Sequence, residues 1–221
     1  MAGVPRVSVA LRDFLQSVRQ SDELPRHVAE LRSSCSGGPS ILPRREFEMV
    51  VELAFLQLFL AWEEFLEESF IRYLCGSGSP NGQKFRRLIK PQSQETARNF
   101  LMVNRRYVDW TEPGMLRPLA ESMFENGGPF SVLSTAGRAL REMRTIRNRI
   151  AHRSGSARAA FESLVRECLG YVPKPPLTPG AFLLRNRPTH HPTASNRKTR
   201  PSTFFSYYSS TVTALANLIA P

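Results

Sequence analysis

The chain has 221 residues, 41% of them hydrophobic, and carries a net charge of +11 with a pI near 10.4. That length holds one domain with a real core, or one domain with extensions, and such a charge favours an anionic partner, either nucleic acid or a membrane surface. Three scattered cysteines, Cys35, Cys75 and Cys168, argue against a disulfide framework and for reduced thiols in a cytoplasmic protein.

Residues 1–10 lack the unbroken apolar core of a signal peptide. Val7 to Ser33 reads as a helical lead-in, in two short helices broken at Pro25, with Val7, Leu11, Phe14, Leu15 and Val18 on one stripe. Ser33 to Pro43, with Gly37-Gly38-Pro39, reads as a loop.

Arg44 to Leu74 is the strongest helical signal. Phe47, Val50, Val51, Ala54, Phe55, Leu58, Trp62, Phe65 and Leu66 follow the i, i+3, i+4 rule. Leu53, Leu56, Phe59 and Leu60 cover much of the other side, so the middle of this helix is expected to be surrounded by other helices or by a second subunit. Its longest apolar run, Met49 to Trp62, is interrupted by Glu52 and Gln57 and is shorter than the roughly 20 residues that span a bilayer. No membrane association is expected. The second half carries Glu63, Glu64, Glu67 and Glu68, and Gly76 to Gly82 ends the helix sharply.

Helices are further expected over Ser93–Val103, Met115–Phe124, Ser156–Leu169 and Ser202–Ala220. Tyr107 and Trp110 lie in connecting sequence, where packing is favoured over base stacking. Residues 171–201 are rich in proline and read as an extended segment, with Thr178–Leu184 adding a short strand or a docking contact. No confident strand and no internal repeat is present. The chain thus divides into a lead-in and loop (1–43), a helical core (44–170), a Pro-rich segment (171–201) and a C-terminal helix that packs on the core (202–221).

The remaining helix carries the chemistry. Val132, Ala136, Ala139, Met143, Ile146 and Ile150 form one stripe, so a helix is expected from about Ser131 to the Asn148–His152 region. Between Arg138 and Arg153 stand six arginines against one acid, Glu142, where a solvated face would mix signs. Such a run is either an Arg-rich surface or a phosphate site, since guanidinium forks grip phosphate oxygens in bidentate fashion. Arg141, Arg144, Arg149 and Arg153 are candidate RNA contacts. Asn148 and His152 are four apart and share a face, while Arg147 and His152 point about 140° apart on an ideal helix. They converge only if the guanidinium curls round, if the helix loosens near Gly155, or if a second chain brings its own copy.

Arg147-Asn148 followed by His152 resembles the Arg-x4-His signature of the HEPN domain superfamily, and all three residues match it position by position. The run Ala61–Phe70 is similar to the early long helix of the RiboL-PSP-HEPN and MAE-type groups of bacterial defence loci. The resemblance covers roughly Arg44 to Leu169. It implies an all-α, up-and-down HEPN-like bundle of four to six helices that dimerises so that two signatures face each other. It also implies a metal-independent RNA endonuclease, a toxin or antiphage effector with an antitoxin or defence partner.

In that chemistry the RNA 2′-OH attacks the adjacent phosphorus. His152 suits proton transfer because its reference pKa lies near 6.5, Arg147 suits the phosphorane charge, and Asn148 orients His152 or holds an oxygen. Glu63, Glu64 or Glu67 would pair with Arg147 or tune the histidine. No cofactor and no metal is called for: His190-His191 have no nearby cysteine, and Ser154-Gly155-Ser156 lacks phosphate-loop spacing. Two other readings compete. One is a HEPN-like module that binds RNA or protein without cutting, and the other is a helical interaction protein that assembles through Met49–Trp62.

Overall fold

The computed structural model describes residues 6–33, 42–102, 108–188 and 202–221. Eight α-helices lie within them: α1 (Val7–Ser33), α2 (Arg44–Leu74), α3 (Gln94–Met102), α4 (Pro113–Met123), α5 (Gly137–Ala151), α6 (Gly155–Leu169), α7 (Pro179–Leu183) and α8 (Phe204–Ile219). A run of 3-10 turns over Glu125–Ala136 leads into α5. Among the described residues there is no β-strand, only isolated bridges at Arg87–Phe124 and Asn186–Thr203. The fold is all-α, and among the described residues no helix is long and apolar enough to cross a membrane. Tyr107, Cys35, His190, His191, the loop glycines and residues 189–201 of the Pro-rich segment lie outside the described residues.

Two compact units form, each assembled from separated stretches of the chain. The first comprises Met1–Ser17, Leu60–Arg141 and Thr211–Pro221; the second comprises Val18–Phe59 and Glu142–Ser210. Helices α1, α2, α5 and α8 each give residues to both.

The first unit is built on aromatics of α2. Phe14 and Phe65 close over Trp62, and Phe70 meets Trp110, Phe124 and Phe130 with ring centroids 4.9 to 5.4 Å apart. Trp62 and Trp110 are core residues. Tyr73 Oη donates to the Ile219 carbonyl at 2.7 Å, tying the end of α2 to α8. Gly76, at φ +93°, ends α2 in the left-handed conformation, and Arg87 donates to the orphan carbonyl of Leu74.

In the second unit Phe182 stacks on Phe204 and meets the edge of Phe161, while Phe55 packs on Phe205 and Tyr208. Tyr208 donates to Glu142, and Ser209 to Asp22. Burial lifts the carboxyl of Asp22 above the usual range, the Ser209 bond working against it.

Several expectations are corrected. The lead-in is one helix: α1 continues through Pro25. A proline inside a helix costs about 3 kcal/mol, and here the flanking turns are anchored by Phe14 and Val18 in the core and by the Asp22–Ser209 bond. The signature helix starts at Gly137 rather than near Ser131. Asn126, Gly127 and Gly128 take positive φ, and Ser131, Ser134 and Thr135 each bond the carbonyl three residues back, which favours the tighter turn. Leu133, not Val132, is therefore the buried residue of that stretch. Thr178–Leu184 forms a helical turn rather than a strand, and it makes a docking contact on α2, with Thr178 bonded to Glu48 and Gly180 to Glu52. Thr178 caps Ala181, Pro179 occupies a first-turn position, and all five residues of α7 are buried. This added turn and the short α3 and α4 bring the total above the four to six helices expected.

Candidate functional site

The signature spans the last turn of α5 and the residue just past it, within the second unit. Met143 and Ile146 are fully buried and fix which way the helix faces. Ile150, one turn on, is half-buried. Arg147 and Asn148 therefore stand at the edge of the buried stripe, half-buried, and His152 points away from it and is exposed.

The Arg147 guanidinium does two things. It lies 5.6 Å from the centre of the Phe59 ring on α2, and it donates to Asn148 Oδ1 at 3.2 Å. A cation over an aromatic face gains roughly 0.5–2 kcal/mol, more as water is excluded. Asn148 is tied to the arginine rather than to the histidine ring. The His152 main chain completes the helix, its N–H donating to the Asn148 carbonyl at 2.8 Å. Among the described residues its imidazole makes no hydrogen bond or ion pair. One chain thus holds Arg147 with Asn148 and leaves the ring of His152 open to solvent.

The other arginines diverge. Arg149 donates to the His152 carbonyl at 3.4 Å, which covers the open C-terminal end of α5 with a cation. Arg153 is exposed and Arg144 half-buried. Arg141 belongs to the first unit and folds back over Gly137. The acids proposed as support also belong to the first unit. Glu67 is bound by Arg98 at 2.7 Å, and Glu64 lines a shallow groove with Asp13, Glu68 and Arg72. Glu63 is half-buried.

Beside the signature, periodicity concealed one feature. Met49 and Leu53 of α2 are 54% and 61% exposed, Leu56 is half-exposed, and the spacing of four and three puts them on one stripe. Gln57 of α2 bonds Gln20 of α1, and Leu24 and Leu31, also exposed, continue the same face of α1. An amphipathic pattern reports that a residue is apolar, not that something covers it. Among the described residues no group of three or more His, Cys, Asp or Glu side chains is placed to hold a metal.

Comparison with family models, with curated proteins and with solved structures gives no match for this chain.

Proposed function

We propose that this chain is a metal-independent RNA endonuclease of the HEPN type that acts as a homodimer. The observation that carries the reading is the end of α5, where Arg147 is held by Asn148 and Phe59 while the imidazole of His152 faces solvent. A fixed cation and an unengaged imidazole, brought together when two signatures face each other, are the groups that phosphoryl transfer needs. The exposed stripe of Met49, Leu53 and Leu56 supports a second copy, since apolar patches of this kind mark association surfaces.

Two facing signatures supply both halves of the proton traffic. One His152 takes the 2′-OH proton as the 2′-oxygen bonds to phosphorus. The other His152, protonated, gives its proton to the departing 5′-oxygen. Arg147 neutralises the equatorial oxygens of the phosphorane, and the products carry 2′,3′-cyclic phosphate and 5′-OH ends. The defence or toxin setting, with a protein that silences the enzyme, rests on the resemblance of the signature alone.

One observation favours the non-cutting reading: within one chain Arg147 is turned to Phe59 and Asn148, and the ring of His152 meets neither. Both readings meet in one assay, cleavage of total RNA in EDTA by wild type and by His152→Ala. Cleavage by wild type alone, leaving cyclic phosphate ends, is the expected result. Because the cleft needs both His152 side chains, mixing Arg147→Ala with His152→Ala chains is expected to restore no activity: no dimer that keeps an Arg147 holds two histidines. RNA left intact by folded, dimeric wild type would favour the binding module.

A further inference from the structure

A groove of about 560 Å³ lies within the second unit, walled by α2, α5, α6 and residues 176–179. Four arginines line it: Arg45 of α2, Arg149 of α5, Arg153 in the link between α5 and α6, and Arg158 of α6. Among the described residues the side chains of Arg45, Arg153 and Arg158 make no hydrogen bond or ion pair, and Arg149 donates only to the His152 carbonyl. Three carboxylates share the lining with the four arginines, which leaves an excess of one positive charge, and Glu52 feels the charges of Arg149 and Arg45. Glu48 is buried and already bonded to Arg44 at 3.0 Å and to Thr178 at 2.8 Å. Glu52 accepts the Gly180 N–H at 3.0 Å, and Glu162 is exposed to solvent. Ile150, Phe161 and Leu177 add apolar wall.

Unpaired guanidinium groups around an apolar-walled groove suit a ligand with a flat ring and phosphates on either side of it. The volume falls within the range of nucleotide-sized pockets, roughly 300–1,000 Å³. A base can lie against such a wall only if it is unstacked, so the strand must be single. The groove also begins at the signature: Arg149 touches the His152 carbonyl and Arg153 follows it in the chain. We infer that this groove seats the nucleotide flanking the scissile phosphate of a single-stranded RNA, with Arg45 and Arg158, both outside the signature helix, on its phosphates. The word scissile rests on the nuclease reading; the binding of the strand does not.

The test uses the full chain carrying His152→Ala, so that the probe survives, and a fluorescent single-stranded oligoribonucleotide of about ten nucleotides. Anisotropy titrations compare this chain with one that also carries Arg45→Ala and Arg158→Ala. Both arginines are exposed, and an unchanged thermal melt is the control for folding; Arg158→Gln alone is read beside the pair. Loss of tenfold or more in affinity is expected. The dependence of log Kd on log salt should become shallower by roughly 1.4, about 0.7 for each lost phosphate contact. Equal affinity and slope in the variants overturn the inference, as does a His152→Ala chain that binds an acidic peptide and no RNA. The two readings fail separately. Binding lost with Arg45 and Arg158, in a protein that never cuts RNA, leaves the groove standing and removes the nuclease. Cutting by wild type with binding unaffected does the reverse.

Discussion

Gly180 crosses α2 at Glu48 with no room for a side chain: a Cβ there would stand 2.7 Å from the Glu48 carbonyl carbon and 2.9 Å from its Cα. These atoms and the Glu48 carbonyl oxygen, which is nearer still, are all backbone, inside a helix whose neighbours Val51 and Ala54 are fully buried. The same glycine donates its N–H to Glu52. Gly180→Ala is therefore expected to destabilise the protein by about 2 kcal/mol, the usual cost of overpacking a site that does not yield. A lower melting temperature, by roughly 5 °C for a chain of this length, is the measurement; an unchanged melt would mean that α7 can lift from α2 freely.

Glu52 sits at that crossing with its carboxyl above the ordinary range. Burial is the largest cause and Glu48 adds to it, against the Gly180 bond and the charges of Arg149 and Arg45. A carboxyl with a raised folded pKa binds its proton more tightly in the folded state. Its contribution to stability is full below the unfolded value, about 4.3, and is lost as pH rises through the folded value. Glu52→Gln keeps an acceptor for Gly180 and is neutral at every pH. It should raise stability at pH 7 and lose that advantage near pH 4. Urea titrations at the two pH values decide, and an advantage that does not shrink in acid contradicts the assignment.

Tyr73 offers a separate test in the first unit. Its hydroxyl is buried against the Ile219 carbonyl, and burial raises its pKa far beyond the neutral range. Tyr73→Phe keeps the ring against Phe85 and Phe130 and leaves that carbonyl without this donor. A loss of about 1–2 kcal/mol in denaturant unfolding is expected, the same at pH 6 and pH 8.

The exposed stripe on α2 makes an oligomer prediction. Met49→Glu together with Leu53→Glu should convert dimer to monomer in sedimentation velocity and abolish RNA cleavage. The melting of the fold should stay within a few degrees, because both side chains are already mostly exposed. A wild-type chain that sediments as a monomer at micromolar concentration would sink the dimer outright.

The helices were readable because their causes are local. The long apolar run of α2, the Ser154 cap and the left-handed Gly170 of α6, and the return of aliphatic residues in α8 lie within a few residues of what they determine. The start of α5 was misread for an equally local reason: hydroxyl back-bonds in 131–135 tighten the turn, and hydrophobic period does not register them. Thr178, Pro179 and the apolar run after them carried a helix-start signal that the surrounding prolines obscured.

By itself the sequence determined the all-α class, most helix boundaries, the aromatic core of α2 and the concentration of positive charge around His152. Only the tertiary structure decided where those charges go. Glu48 meets Thr178, and Glu52 meets Gly180, across about 130 residues of chain. Arg147 meets the Phe59 ring and the Asn148 amide, and Arg45 joins Arg158 along one groove. Such pairings depend on which faces meet when helices pack, and periodicity states only that a face exists. It left open that Met49 and Leu53 would be uncovered, because a stripe inside a bundle and a stripe awaiting a partner are spelled alike.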